Sequence, residues 1–163
     1  MANTLKLQVV SPDKPGFAAD VTLVTLPGTV GEFGVMAKHM PIMATIKPGT
    51  LKVTTGGKKE FYFVSKGFVE VNPKSVTVLA EAYERADEID AGRAQKSKER
   101  AQELLASKKE MKNNPEAQAS LERALGRLKV IKRPNKQVLK ALDLPSLVRG
   151  LFPPIKYPHF IVL

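Results

Sequence analysis

A chain of 163 residues, 43% of them hydrophobic, can bury one ordinary core or a small domain with an appendage, and is too apolar to be disordered. It has no cysteine and only two histidines, His39 and His159, far apart, which excludes disulfides and thiolate metal sites and leaves metal catalysis without a ligand set. The net charge of +10 is spread as +3 over residues 1–86, +3 over 87–132 and +4 over 133–163, so an acidic protein surface suits it as well as a phosphate backbone.

In chain order, Thr4–Val10 alternates Leu5, Leu7 and Val9 against Lys6 and Gln8, the period of a half-buried strand, and a Pro-Asp-Lys-Pro-Gly turn ends it. Val21–Leu26 repeats the pattern as a second strand. Gly28, Gly31 and Gly34 then punctuate a loop carrying Glu32, followed by a short Val35-Met36 segment, Lys38-His39-Met40-Pro41 and an apolar run over Ile42–Ile46. Leu51–Thr54 and Phe61–Ser65 flank Gly56-Gly57, a two-glycine hairpin signal, and Gly67–Val71 and Val76–Leu79 flank Asn72-Pro73-Lys74-Ser75. Many short strands without an intervening helical pattern predict an antiparallel β-sandwich over residues 1–86.

From Asp90 the period becomes helical. Ala91, Ala94, Ala101, Leu104 and Leu105 share one stripe up to about Lys109. Asn113-Asn114-Pro115 interrupts, and Ala117, Leu121, Ala124, Leu128 and Ile131 form a second stripe. Asp90 is placed to cap the first helix, with Ile89 and Ala94 at the two positions of a hydrophobic staple. The prediction is an antiparallel two-helix hairpin over residues 87–132. Its faces are mostly alanine, so it is marginal alone and must lean on the sandwich, a ligand or another chain. Residues 133–163 hold a possible short helix around Val138–Leu142 and a proline-broken apolar tail with no periodic core pattern, readable as a docking segment or as inert.

The chemistry of catalysis is missing. Gly56-Gly57-Lys58 is followed by Lys59 and lacks the earlier glycine of a phosphate loop, there is no G-x-S-x-G elbow, and His39 has no acid or nucleophile beside it in sequence. No stretch approaches the roughly 18 to 20 apolar residues of a membrane span, and the first residues do not read as a signal peptide, so a cytoplasm-like compartment is expected. The residues by themselves describe a binding or coupling module. A free-standing basic module that binds nucleic acid through its helices is the alternative from another class.

Gly31-Glu32-Phe33-Gly34-Val35, Lys38-His39-Met40-Pro41, Gly67-Phe68-Val69-Glu70-Val71, Val76–Ala80 and Ile89-Asp90-Ala91-Gly92-Arg93-Ala94, in that order and spacing, resemble the ε subunit of F-type ATP synthases over about residues 1–132. The resemblance implies a non-catalytic subunit of the rotary central stalk. Its sandwich would bind the γ subunit and rest on the c-ring, with Glu32 on the loop facing the c-ring and His39 near γ. The hairpin would fold down on the sandwich or extend toward the α and β subunits to inhibit ATP hydrolysis. It further implies a peripheral position on the cytoplasmic face of a bacterial inner membrane, or on a plastid thylakoid, with no nucleic-acid partner and no required cofactor.

Some relatives bind ATP as a regulatory ligand in the folded form, and carried over to this chain their motif is Ile89, Asp90, Arg93 and Ala94, with Glu84 upstream, Arg100 on the first helix, and Arg123 and Arg127 on the second. The alternative reading of the same residues is that Asp90 is a simple cap and the arginines a solvated helix face. The chain departs from the family pattern in Ala37-Lys38 ahead of the histidine, in Lys66-Gly67 ahead of Phe68, and in the segment after Arg133, which has no counterpart in it.

Overall fold

The structure, a computed structural model, describes residues 3–106 and 114–132. These belong to the first of two compact units, residues 1–133. The tail over 133–163 and the predicted end of the first helix past Ala106 lie outside the described residues.

Ten strands come first: β1 Leu5–Val10, β2 Phe17–Val21, β3 Leu23–Pro27, β4 Glu32–Val35, β5 Ile42–Ile46, β6 Gly49–Thr55, β7 Lys58–Val64, β8 Gly67–Asn72, β9 Ser75–Ala80 and β10 Tyr83–Arg85. Two helices follow, α1 Ala91–Ala106 and α2 Pro115–Ile131. The strands form two five-stranded sheets, ordered β2-β1-β9-β8-β5 and β10-β7-β6-β3-β4, and the inward side chains of both make one core. Alternation sets the register, because slipping a strand by one residue would turn its apolar set outward. Thus Leu7 lies opposite Val76 and Val9 opposite Val78 across the parallel β1–β9 pair, and Val69 and Val71 continue those rows on β8.

The single strand expected over Val21–Leu26 is two strands in different sheets. Thr22 makes the corner, with its backbone N–H and its hydroxyl both donating to the Thr54 carbonyl, at 2.8 and 2.9 Å. Alternation continues through such a corner, so the pattern alone cannot reveal it. Glu32, expected in a loop, instead opens the edge strand β4 opposite Pro27, and β10 is an unanticipated three-residue edge strand that sets Glu84 opposite Phe63. Gly56 and Gly57 close the β6–β7 hairpin at φ of 54° and 81°, backbone that side chains resist.

Both helices start as their sequences dictate. Asp90 Oδ1 accepts from the Arg93 N–H at 3.0 Å, and the staple residues Ile89 and Ala94 are buried. Asn114 caps α2, its side-chain oxygen accepting from the Glu116 and Ala117 N–H groups at 3.1 Å each, with Pro115 at the first helical position. The helices pack on each other and bury Ala94, Ala101, Ala117 and Ala124, while α2 seats on β6 and β7. That seat has its own apolar cluster of Phe63, Ile89 and Val130, separate from the core between the sheets.

Candidate functional site

Three elements meet where the last strand gives way to the first helix. β10 contributes Glu84, the start of α1 contributes Asp90, Arg93 and Ala94, and α2 contributes Arg127. With Glu88, Ile89 and Ser97 they line a cleft of about 260 Å³. Arg127 forks onto Glu84, Nε donating to the two carboxylate oxygens at 2.9 and 3.2 Å and Nη2 to Oε1 at 2.6 Å. The same guanidinium stacks on the Phe63 ring, 4.6 Å from its centroid. A planar fork on a carboxylate, braced on an aromatic face, is the geometry for which arginine is suited and lysine is not.

Every acid of the cleft is engaged. Glu84 holds Arg127, Asp90 caps α1, and Glu88 accepts from Lys14 Nζ at 2.9 Å and from the Arg85 N–H at 3.2 Å. Those two hydrogen bonds, the lysine's first, hold the Glu88 carboxyl below the usual carboxylate range. The fork uses only part of the five-donor set of Arg127, and the Arg93 side chain is exposed at the cleft, so donors remain for an anion.

Of the eight residues expected at a nucleotide site, the cleft gathers Glu84, Ile89, Asp90, Arg93, Ala94 and Arg127. Arg100 lines an adjoining groove of about 730 Å³ along α1, which shares Asp90, Arg93 and Ser97 with the cleft. Arg123, half-buried one turn before Arg127, lines neither. Glu88 and Ser97 line the cleft without having been singled out. Ser97 falls three and four residues after Ala94 and Arg93, so helical spacing could have found it, whereas Glu88 precedes the helix and carried no signal.

The expected partner contacts lie elsewhere. Glu32 is ion-paired with Lys129 of α2 at 3.5 Å. His39 sits half-buried in a turn after Lys38, whose φ is 67°, with its Nδ1 2.8 Å from the Met40 carbonyl oxygen. Across the outward face of the first sheet, Val10, Leu79 and Phe68 adjoin by register and are about half exposed, beside a groove of about 610 Å³. Leu79 and Phe68 fall out of phase with the buried valines of their strands, and that was their signal in sequence.

Two family models describe this arrangement: the beta-sandwich domain of the ATP synthase Delta/Epsilon chain matches residues 4–86, and its long alpha-helix domain matches residues 87–132. The chain belongs to the ATP synthase ε-chain family. It is 45% identical over 130 residues to the ATP synthase epsilon chain of Nitratidesulfovibrio vulgaris strain DP4, covering 80% of this chain and 97% of that one. It is 40% identical over 129 residues to that of Desulforamulus reducens, covering 79% and 98%. It is similar to a chain of the Euglena gracilis mitochondrial ATP synthase OSCP/F1/c-ring structure, with a TM-score of 0.61 at 26% identity over 84% of this chain and 82% of that one. As a member of the ε family it is a stalk component of the ATP synthase and not a catalytic subunit. Among the described residues no helix is long and apolar enough to cross a membrane.

Proposed function

We propose that this ε chain couples the c-ring and γ subunit to the catalytic α and β subunits and restrains ATP hydrolysis through its helical hairpin, with ATP binding to the seated form. One observation carries the nucleotide reading: the cleft is built from β10, the start of α1 and α2 together, so its Arg127 side is present only while α2 lies on the sandwich. A ligand that needs all three elements favours the seated hairpin by its differential affinity for that form. The triphosphate runs from Arg127 and Arg93 into the adjoining groove toward Arg100, and the buried edge of Ile89 and Ala94 lies beside the nucleoside.

The exposed apolar row of Val10, Leu79 and Phe68 is suited to γ, and the β3–β4 turn bearing the exposed Val30 beside Glu32 to the c-ring, which sets the chain peripherally on the cytoplasmic face of a bacterial inner membrane. Calorimetric titration of the full chain with ATP tests the cleft. Arg127→Ala is expected to weaken binding at least tenfold, the loss of roughly one charge-assisted contact, while Arg123→Ala, which lies off the cleft, is expected to leave it unchanged, and unchanged affinity in Arg127→Ala would remove that arginine from the site.

A further inference from the structure

The contact that seats α2 on the sandwich turns on an absent side chain. Gly126 is buried in the middle of α2, and a Cβ built there would lie 2.7 Å from Phe63 Cε2, 3.2 Å from Cδ2 and 3.4 Å from the Gly49 backbone nitrogen. The Phe63 ring cannot give way easily. It is fully buried, it packs with Ile89 and Val130, and the Arg127 guanidinium stacks on it. Glycine is also a poor choice for the helix itself, since it costs helix formation roughly fivefold in equilibrium relative to alanine. The residue serves the approach of helix to sheet at the expense of the helix.

We propose that Gly126 sets the balance between the seated and the free hairpin, because it alone lets the α2 backbone approach the Phe63 ring. The hairpin can leave without breaking the sandwich, since its cluster of Phe63, Ile89 and Val130 is separate from the core between the sheets. α1 packs chiefly on α2 and follows it. One methyl group at position 126 therefore acts twice in the same direction: it crowds the seated form and strengthens α2 as a free helix. The expected result is a fall in the seated-to-free ratio of roughly tenfold to a hundredfold, the range that overpacking a close contact by one methyl spans.

This inference rests on the two-state hairpin proposed above, and its test uses no nucleotide, so it stands or falls apart from ATP binding. The chain has no cysteine, and the Lys129 and Glu32 side chains meet at 3.5 Å. In the full chain, Glu32→Cys with Lys129→Cys supports a short bis-maleimide cross-link when α2 is seated. Gly126→Ala in this background should lower the cross-linking rate by the stated factor, while hydrogen exchange at the Leu7 and Val78 amides stays unchanged. Adding Phe63→Leu, which leaves room for the methyl, should shrink the effect of the alanine. Equal cross-linking with glycine or alanine overturns the proposal. So does a deficit that Phe63→Leu leaves unrelieved, or one accompanied by loss of protection at Leu7 and Val78. If wild-type α2 amides exchange only on global unfolding, the two-state reading itself fails.

Discussion

Replacing Arg127 by alanine removes the Glu84 fork, with contacts of 2.9, 3.2 and 2.6 Å, and the stack at 4.6 Å on Phe63. The two side chains are 26% and 29% exposed, which places the pair between two regimes. A solvated ion pair contributes about 0.2–1 kcal/mol, and a hydrogen bond to a charged group about 1.5–3 kcal/mol. Partial screening leaves the fork at about 2 kcal/mol, and the cation–π contact adds about 0.5–1 kcal/mol. The seated hairpin should therefore lose about 2–3 kcal/mol, roughly 30-fold to 150-fold in its opening equilibrium. Native-state hydrogen exchange reads this directly: the Ala124 and Val130 amides of α2 should exchange faster by that factor while Val78 in the sandwich does not change. Arg127→Lys keeps the charge without the fork and should fall between wild type and alanine. Unchanged α2 exchange would show that the fork does not hold the hairpin. Equal acceleration at Val78 would show that hairpin and sandwich open as one unit, against the separation of their apolar clusters.

Asn114→Ala removes the α2 cap and should cost about 1 kcal/mol, read as faster exchange at the Glu116 and Ala117 amides that the Asn114 side chain now holds. The lowered Glu88 carboxyl predicts an acid dependence: its pair with Lys14 is fully stabilising above the ordinary carboxylate range and is lost as pH falls from there through the lowered value. Lys14→Met should flatten the acid side of a urea-midpoint profile against pH, and parallel profiles would refute it. Burial first, and then the hydrogen bond it donates to Glu60 at 2.8 Å, push the Tyr62 phenol up. The stability this phenol gives is present below the ordinary tyrosine range and lost as pH rises toward the raised value. With Tyr83→Phe and Tyr157→Phe, the phenolate absorbance should appear only as the protein unfolds, and ionisation of the folded protein in the ordinary range would refute it.

Most of the sandwich was legible because its strands alternate strictly, as Leu5, Leu7 and Val9 do in β1, and because glycine pairs and prolines mark the turns. Thr22 hid its corner, since a strand that changes sheets keeps its period. β10 escaped because three residues between a turn and a helix cap carry too little pattern. The helix starts were legible from Asp90 and Asn114, whose chemistry is local. Arg93 and Arg127 reach the cleft together, but Arg100 falls on the adjoining groove and Arg123 on neither surface, because the face a helical arginine takes depends on how α1 and α2 pack. Nothing local marks Phe63 as the floor of the helix seat. In sequence it is one aromatic in a buried strand, and its role appears only when Gly126 is brought against it.

The Glu84 fork also constrains how the cleft can act on the hairpin. Because Arg127 is already held by Glu84, the seated form is stabilised before any ligand arrives, and an anion must use the donors the fork leaves over. A ligand that pulled Arg127 off Glu84 would leave a half-buried carboxylate without its cation and would lose much of what it gained. Productive binding therefore adds to the fork and does not replace it. The two residues then separate in a way a single titration series can show. Glu84→Gln weakens the seat but leaves Arg127 for the phosphates of the proposed ligand, so the ATP affinity it costs should match the fall in the seated fraction measured without ligand. Arg127→Ala loses the seat together with the proposed phosphate donor, and its loss of affinity should exceed the fall in its seated fraction. If both variants lose affinity only as far as their seated fractions fall, any effect of Arg127 on ATP binding runs through the fold alone.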